Sequence, residues 1–410
     1  MLLKYKKTTG DSTEINPHKN SLWIIIGIIA LNSIGMSVVL PLLPFLVGKY
    51  LGPGQVVVGM SALLSVYAGC TFFAAPVLGA LSDRYGRKRI LIISLSGSAI
   101  GYILFAAGGS LWMLFLGRII DGLTAGNIST LLACISDSTE SKERTKWFGY
   151  MGATMGIGKI GGPALGGLLG SISISLPFYV TSAFILISGL AVYFLLPESL
   201  PPEKRIKRLT LESVNTFSHF KDVFILKNVR LLLVPGLFFY AGMGIFQFNF
   251  TVFLKDIYEW GPEPVGMLLT AIGVCEIVTR ALLLPRLLRR MNEKRIGITG
   301  LFNLCIGLGL IAASTGIHSI VMIILAILFI ISGEGLFETS YNGKLSQSVS
   351  ESEQGKLQGV NQSLQSANNV LIPLAAAAIY VHSPGILYAT AALIIFVGVM
   401  IYTYSADTNR

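Results

Sequence analysis

An all-α polytopic membrane protein is the fold class this chain predicts, with twelve transmembrane helices in two pseudo-symmetric six-helix bundles. Three observations predict it. Of 410 residues, 53% are hydrophobic and only 13% charged, against about 25% charged in water-soluble domains. Apolar windows of about 20 residues, enough to cross a bilayer as a helix, recur along the whole chain. They centre near Ile34, Tyr67, Ser98, Leu123, Ile157, Ile185, Met243, Gly273, Leu308, Leu328, Asn368 and Ile395. Lastly, all but five of the 31 Lys and Arg lie in the two tails or the even-numbered connections. A transmembrane barrel would instead show strands of about ten alternating residues.

Taken in order, residues 1–20 are polar and read as a cytoplasmic tail. The first apolar run is too long for a signal-peptide core and reads as a retained helix. Residues 21–196 form the N-terminal six-helix bundle and residues 197–230 a cytoplasmic linker with Pro201-Pro202 and the cluster Lys204-Arg205-Ile206-Lys207-Arg208. Residues 231–405 form the C-terminal bundle, and 406–410 a short tail. The positive-inside bias sets both termini in the cytoplasm. The exceptions to that bias are Arg118, Lys159 and Arg280, inside apolar runs, and Lys49 and Lys255, in odd-numbered connections.

The net charge of +10 is therefore a topology signal with some attraction to anionic lipid, and nucleic acid is excluded as a partner. Cys70, Cys134, Cys275 and Cys305 are scattered through apolar segments and read as packing residues, with no metal spacing. His18, His219, His318 and His382 are equally dispersed. No nucleophile motif and no phosphate loop is visible, so the chain is not expected to be an enzyme and no cofactor is expected.

Between the second and third apolar runs stands Gly79-Ala80-Leu81-Ser82-Asp83-Arg84-Tyr85-Gly86-Arg87-Lys88-Arg89. Its cations must stay in water, Asp83 needs a partner or a helix N-terminus, and Gly79 and Gly86 permit close packing and a sharp turn. This pattern resembles the loop between helices two and three of the major facilitator superfamily of secondary transporters. A weak copy, Leu284 to Arg295, follows helix eight and keeps the cations but lacks the Asp and both glycines. On helix five, Gly158-Lys159-Ile160-Gly161-Gly162-Pro163-Ala164-Leu165-Gly166-Gly167 resembles the antiporter frame of that superfamily. Further segments, among them Pro41-Leu42-Leu43-Pro44, Ser136-Asp137-Ser138-Thr139 and Gln354 to Gly359, resemble its tetracycline-efflux branch of drug:proton antiporters.

The resemblance implies proton-coupled efflux of a small amphipathic compound by alternating access, driven by a proton gradient. It implies a monomer in the bacterial cytoplasmic membrane, with a small molecule, protons and lipid as partners. Gly79, Asp83, Arg84, Gly86 and Arg87 would form a conformational latch, with Asp83 near the N-terminal end of helix eleven around Ser352. Gly158, Gly162, Pro163, Gly166 and Gly167 carry the helix-five motif. Arg118 matches a helix-four arginine linked to proton movement; a buried ion pair with Asp121 is the other reading.

Departures from the family pattern matter for mechanism. Asn32 stands where that branch has an Asp, and an amide cannot titrate. Glu276 stands at a histidine position, with Arg280 four residues on, either a coupling device or a static helical pair. Glu334 and Glu338 repeat the four-residue spacing on helix ten; one of them is expected to be protonated or paired with Lys159, Arg118 or Arg280, unless Glu338 is hydrated at the helix end. Lys159 reads as a cavity residue, a substrate anchor or a counter-ion, unless helix five starts late enough for it to snorkel. Tyr240, Phe246, Gln247 and Phe250 on helix seven, with Gln365, Asn368 and Asn369 on helix eleven, would line the substrate pocket together with Asn32. The other readings are an anionic cargo, such as a polycarboxylate or siderophore, and a transporter-like sensor that moves nothing.

Overall fold

Apolar runs separated by one to a few turn residues leave each helix little choice but to lie antiparallel to the next. The computed structural model describes residues 17–52, 54–206, 230–349 and 354–405. In the N-terminal half these are α1 (Pro17–Val47), α2 (Val56–Tyr85), α3 (Arg87–Ala107), α4 (Leu111–Leu123), α5 (Asn127–Ser138), α6 (Ser141–Ile172) and α7 (Leu176–Leu195). The C-terminal half holds α8 (Arg230–Tyr258), α9 (Pro262–Val278), α10 (Leu284–Leu288), α11 (Glu293–Ile317), α12 (Ile320–Gln347), α13 (Gln354–Tyr380) and α14 (Pro384–Ser405). No strand occurs among the described residues.

With α4–α5 and α9–α10 each counted as one interrupted rod, the two halves hold six rods apiece. Ten rods are long and apolar enough to cross a membrane. The other two, α6 and α13, have the length, at 32 and 27 residues. Glycines in α6 and amides in α13 dilute their apolarity.

Local chemistry explains the ends and breaks. Gly86 alone turns the chain from α2 to α3, at φ 101°, a conformation that costs glycine nothing. Ser110, Asn292 and Ser319 cap α4, α11 and α12 by accepting from the N–H three residues on. The fourth rod breaks at Thr124, whose hydroxyl donates to the Ile120 carbonyl at 2.8 Å and competes with the helix ladder. The eighth rod passes through a π-turn, Thr279–Leu283. Pro285, which has no N–H to give, follows directly and favours such a register slip.

Several expected boundaries move. Helix already begins at Pro17, inside the polar tail. The Leu284 to Arg295 segment is helical at both ends and turns only at residues 289–292. Gly79 lies inside α2 with open space where a Cβ would stand, so it neither turns the chain nor packs closely here. Residues 207–229 of the linker, and Ser352 as a partner for Asp83, lie outside the described residues.

The α6 glycines explain how the halves are built and joined. Gly158, Gly162 and Gly166, four apart, press α6 onto α1; a Cβ on them would meet Ser33, Ser37 or Val38. Gly167 sits on the neighbouring stripe and meets the other half: its Cβ would lie 2.9 Å from the Pro262 carbonyl, and one on Gly266 would lie 2.5 Å from the Pro163 carbonyl. Lower on the same seam, the Thr270 hydroxyl approaches the Ile160 carbonyl at 3.3 Å. Across the molecule the Ser65 hydroxyl donates to the Val370 carbonyl at 2.8 Å, joining α2 to α13. Lys255 of α8 brings its Nζ to the C-terminal end of α1 beside Gly48. These contacts run from the middle of the bundle to the end away from Pro17 and Ser405.

A side chain at the Gly167–Gly266 crossing must push backbone against backbone. Gly266→Val is expected to destabilise this closed arrangement by about 1–3 kcal/mol. Disulfide trapping between cysteines placed at Ser171 and Glu263 should fall markedly relative to the same pair without the valine.

Candidate functional site

Two ionic clusters and one cavity occupy the middle of the molecule. The first cluster belongs to the N-terminal half. Arg118 and Asp121, one turn apart on α4, are 5% and 6% exposed, with Nη1 to Oδ2 at 3.4 Å. Ser98 of α3 donates to the other Asp121 oxygen at 2.7 Å. The guanidinium also lies over the Phe105 and Tyr67 rings, at 4.6 and 5.2 Å from their centroids. Rings in that position share a buried cation's charge. The Arg118 Nε–H has no hydrogen-bond partner among the described residues.

The second cluster straddles both halves. The same Arg280 nitrogen, Nη2, reaches Glu276 Oε1 at 3.0 Å and Glu338 Oε2 at 2.7 Å. The π-turn that carries Arg280 sets it between α9 and α12, so one guanidinium serves carboxylates from two helices. Glu334, one turn before Glu338, interacts electrostatically with Glu276, Lys159, Glu338 and Arg280. Lys159 enters from α6, its Nζ 3.6 Å from Glu276 Oε1. Because α6 starts at Ser141, Lys159 stands mid-helix and does not snorkel from a helix end. No ion pair links Arg118 to this group among the described residues, so Arg118, one of the partners expected for Glu334 or Glu338, belongs to a separate cluster.

A cavity of about 550 Å³ opens between the halves. Arg118, Tyr67 and Tyr102 line it from the N-terminal half; Phe248, Gln362, Ser366 and Asn369 line it from the C-terminal half. Among the described residues, Arg118 is the only formally charged one in the lining. Of the pocket residues expected from sequence, Asn369 alone is in this wall. Phe246 and Phe250 point into the helix core instead, 5% and 2% exposed and 4.7 Å apart between ring centroids. Asn32 is buried, donating to the Ile28 carbonyl and accepting from Asn127, both at 3.0 Å. Tyr240 and Asn368 are tied together, the Asn368 amide donating to the Tyr240 carbonyl at 2.8 Å. Gln247 is exposed and Gln365 half-buried, neither in the cavity wall. Tyr67, Tyr102 and Phe248 escaped notice in the sequence; a tyrosine inside an apolar run, with a hydroxyl that needs a partner, was the available signal.

The charged loop forms a third group, at the end that carries Pro17. Arg87 pairs with Asp83 at 2.5 Å and with Asp137 of α5 at 3.0 Å. Glu198, just past α7, accepts from the Arg87 backbone N–H at 2.8 Å and so caps α3. It also meets Arg205 at 3.7 Å, while the Ile206 N–H donates to the Asp83 carbonyl at 3.1 Å. Arg84 stays outside this group, with its guanidinium 5.1 Å from the Tyr85 ring centre. The first residues of the linker are thereby fastened to the loop.

A family model described as Major Facilitator Superfamily matches residues 25–373. The class H tetracycline resistance protein of Pasteurella multocida is 34% identical over 88% of this chain and 90% of its own. The class B protein of Escherichia coli is 31% identical over 89% of each. Multidrug resistance protein 2 of Bacillus subtilis (strain 168) is 26% identical over 88% of each. Among solved structures, the nucleoside transporter NupG superposes with a TM-score of 0.77 at 15% identity, covering 94% of this chain and 100% of that one. At that identity the likeness is one of fold.

Removing one member of the Arg118–Asp121 pair leaves the other charge buried without its partner. Asp121→Ala is expected to cost about 3–5 kcal/mol, read as a lower unfolding temperature in detergent. Arg118→Met combined with Asp121→Leu should recover most of that loss, because no charge is then left alone.

Proposed function

The chain belongs to the Major Facilitator Superfamily, and from that premise we propose that it exports a small amphipathic compound or drug in exchange for protons. Membership makes it a multi-pass membrane transport protein and not an enzyme. The cavity between the halves carries the proposal. It combines aromatic rings, the amides of Gln362 and Asn369, and the Arg118 cation, which suits a molecule with a flat apolar body and polar edges. Relatives named for tetracycline and multidrug resistance support cargo of that kind.

In the proposed cycle the halves rock about this chamber, exposing it alternately to the two sides. The end bearing the charged loop faces the cytoplasm of a bacterial cell, as its cations require. With the halves joined from their middle to the opposite end, this arrangement would receive cargo from inside. The drive is a proton gradient acting on the Glu276–Arg280–Glu338–Glu334 cluster, with no cofactor and with the monomer as the working unit. In the membrane interior a carboxylate keeps its charge only in company, so partner exchange and protonation are linked.

One observation favours a second reading. The one formal charge among the described residues of the cavity wall is positive, which suits an anionic metabolite such as a polycarboxylate or siderophore better than a lipophilic cation. Liposomes containing the protein and a trapped pH dye decide between the two. Tetracycline should evoke proton movement, citrate should not, and Glu276→Gln should abolish the tetracycline signal. A response to citrate alone would reverse the cargo assignment, and a tetracycline signal surviving in Glu276→Gln would remove that residue from coupling.

A further inference from the structure

Lys159 is the one member of the second cluster that comes from the other half. Glu276, Arg280, Glu334 and Glu338 all stand on α9, the π-turn and α12, elements of the C-terminal half. The Lys159–Glu276 contact is also the loosest, at 3.6 Å against 3.0 and 2.7 Å for the two Arg280 contacts. The lysine side chain is 61% exposed, whereas that of Glu276 is 17% exposed. An ion pair with one end so open is weak and easily exchanged. A compact, flexible ammonium is suited to leaving, unlike the planar guanidinium of Arg280, whose Nη2 holds two carboxylates at once.

Charge balance gives the contact a purpose. Three carboxylates, Glu276, Glu334 and Glu338, face two cations, Arg280 and Lys159. The Tyr240 hydroxyl of α8 also lies near Glu338, held by Gln365 and by Asn361 of α13, the latter at 3.3 Å. Thr270 of α9 is committed to the Ile160 and Gly266 carbonyls. No further cation faces the group among the described residues. If the halves part along the α6–α9 seam, Lys159 is carried away and the carboxylates lose half of their compensation.

We propose that Lys159 is a tethered counter-ion that trades places with a proton on the Glu276 cluster each time the halves part or close. As the seam opens, the ammonium leaves and a carboxylate oxygen takes a proton from water. As the seam closes, the ammonium returns and that proton is released. Lys159 is thus a positioning residue for coupling and not a substrate anchor; it helps decide which conformation holds the proton. The proposal rests on proton-coupled transport, but its test needs no cargo.

The test follows distance in nanodiscs by spin labels on Lys49→Cys and Glu259→Cys, in a chain whose four native cysteines are replaced. One exchanged proton changes the ratio of closed to open molecules by up to about tenfold per pH unit. In the otherwise unaltered chain the closed population should fall several-fold as the medium is acidified. Lys159→Arg should keep that response. Lys159→Gln, at a site too exposed to threaten folding, should lose or invert it, and Glu276→Gln should remain open-shifted at all pH values. A response in Lys159→Gln equal to that of the parent would overturn the proposal, as would a parent indifferent to pH. Failure of drug-driven proton flux in liposomes would instead count against the export reading and leave these distances unaffected.

Discussion

A charge inside a lipid-facing bundle survives only with a partner, and this requirement organises the middle of the molecule. Arg118 has Asp121 and two aromatic faces; Arg280 holds Glu276 and Glu338 with a single nitrogen. Each pairing fixes the rotation of the helices that supply it, since a side chain on the wrong face would leave an ion alone. The breaks in the fourth and eighth rods fall beside these residues. Thr124 lies three residues after Asp121, and the π-turn carries Arg280 itself. Irregular backbone is tolerated at membrane depth where it lies within protein or lines a cavity; the Thr124 break is half-buried, whereas the π-turn buries only Thr279 and leaves Leu282 and Leu283 exposed.

What could be read from sequence was whatever depends on local spacing. The rods, the basic bias and the four-residue step from Glu276 to Arg280 need only periodicity along one helix. The glycines of α6 were legible as a close-packing stripe, because their four-residue interval shows a single face. Less visible was which face meets which neighbour. Phe246 and Phe250 share a stripe with plausible pocket residues, yet a rotation of α8 turns them into the core. The separation of Arg118 from Arg280 likewise depends on where two halves sit, and no interval within either half encodes that. Glu198 could not be linked to α3 from sequence because a cap contributed from 111 residues away leaves no local trace.

The charged loop gained a second role in the structure. Its Asp83 is engaged by Arg87, and through Arg87 with Asp137 and the backbone capped by Glu198. One half therefore carries its own ionic clasp, which also secures residues 198–206 of the connection to the other half. The six N-terminal rods are in this way tied at one end by charge and along α1–α6 by glycine contacts, as a rigid-body motion would require.

The crossing of α6 and α9 has a consequence of its own. It is a seal made of backbone: Gly167, Gly266, Pro163 and Pro262 bring peptide groups together with no side chain between them. Such a seal has no rotamers to order and nothing to ionise, so its tightness is a matter of shape alone. More than two turns along the same helices stand Lys159 and Glu276, all charge and little shape. One seam thus holds a contact with nothing to ionise and, further along it, a contact made of charge.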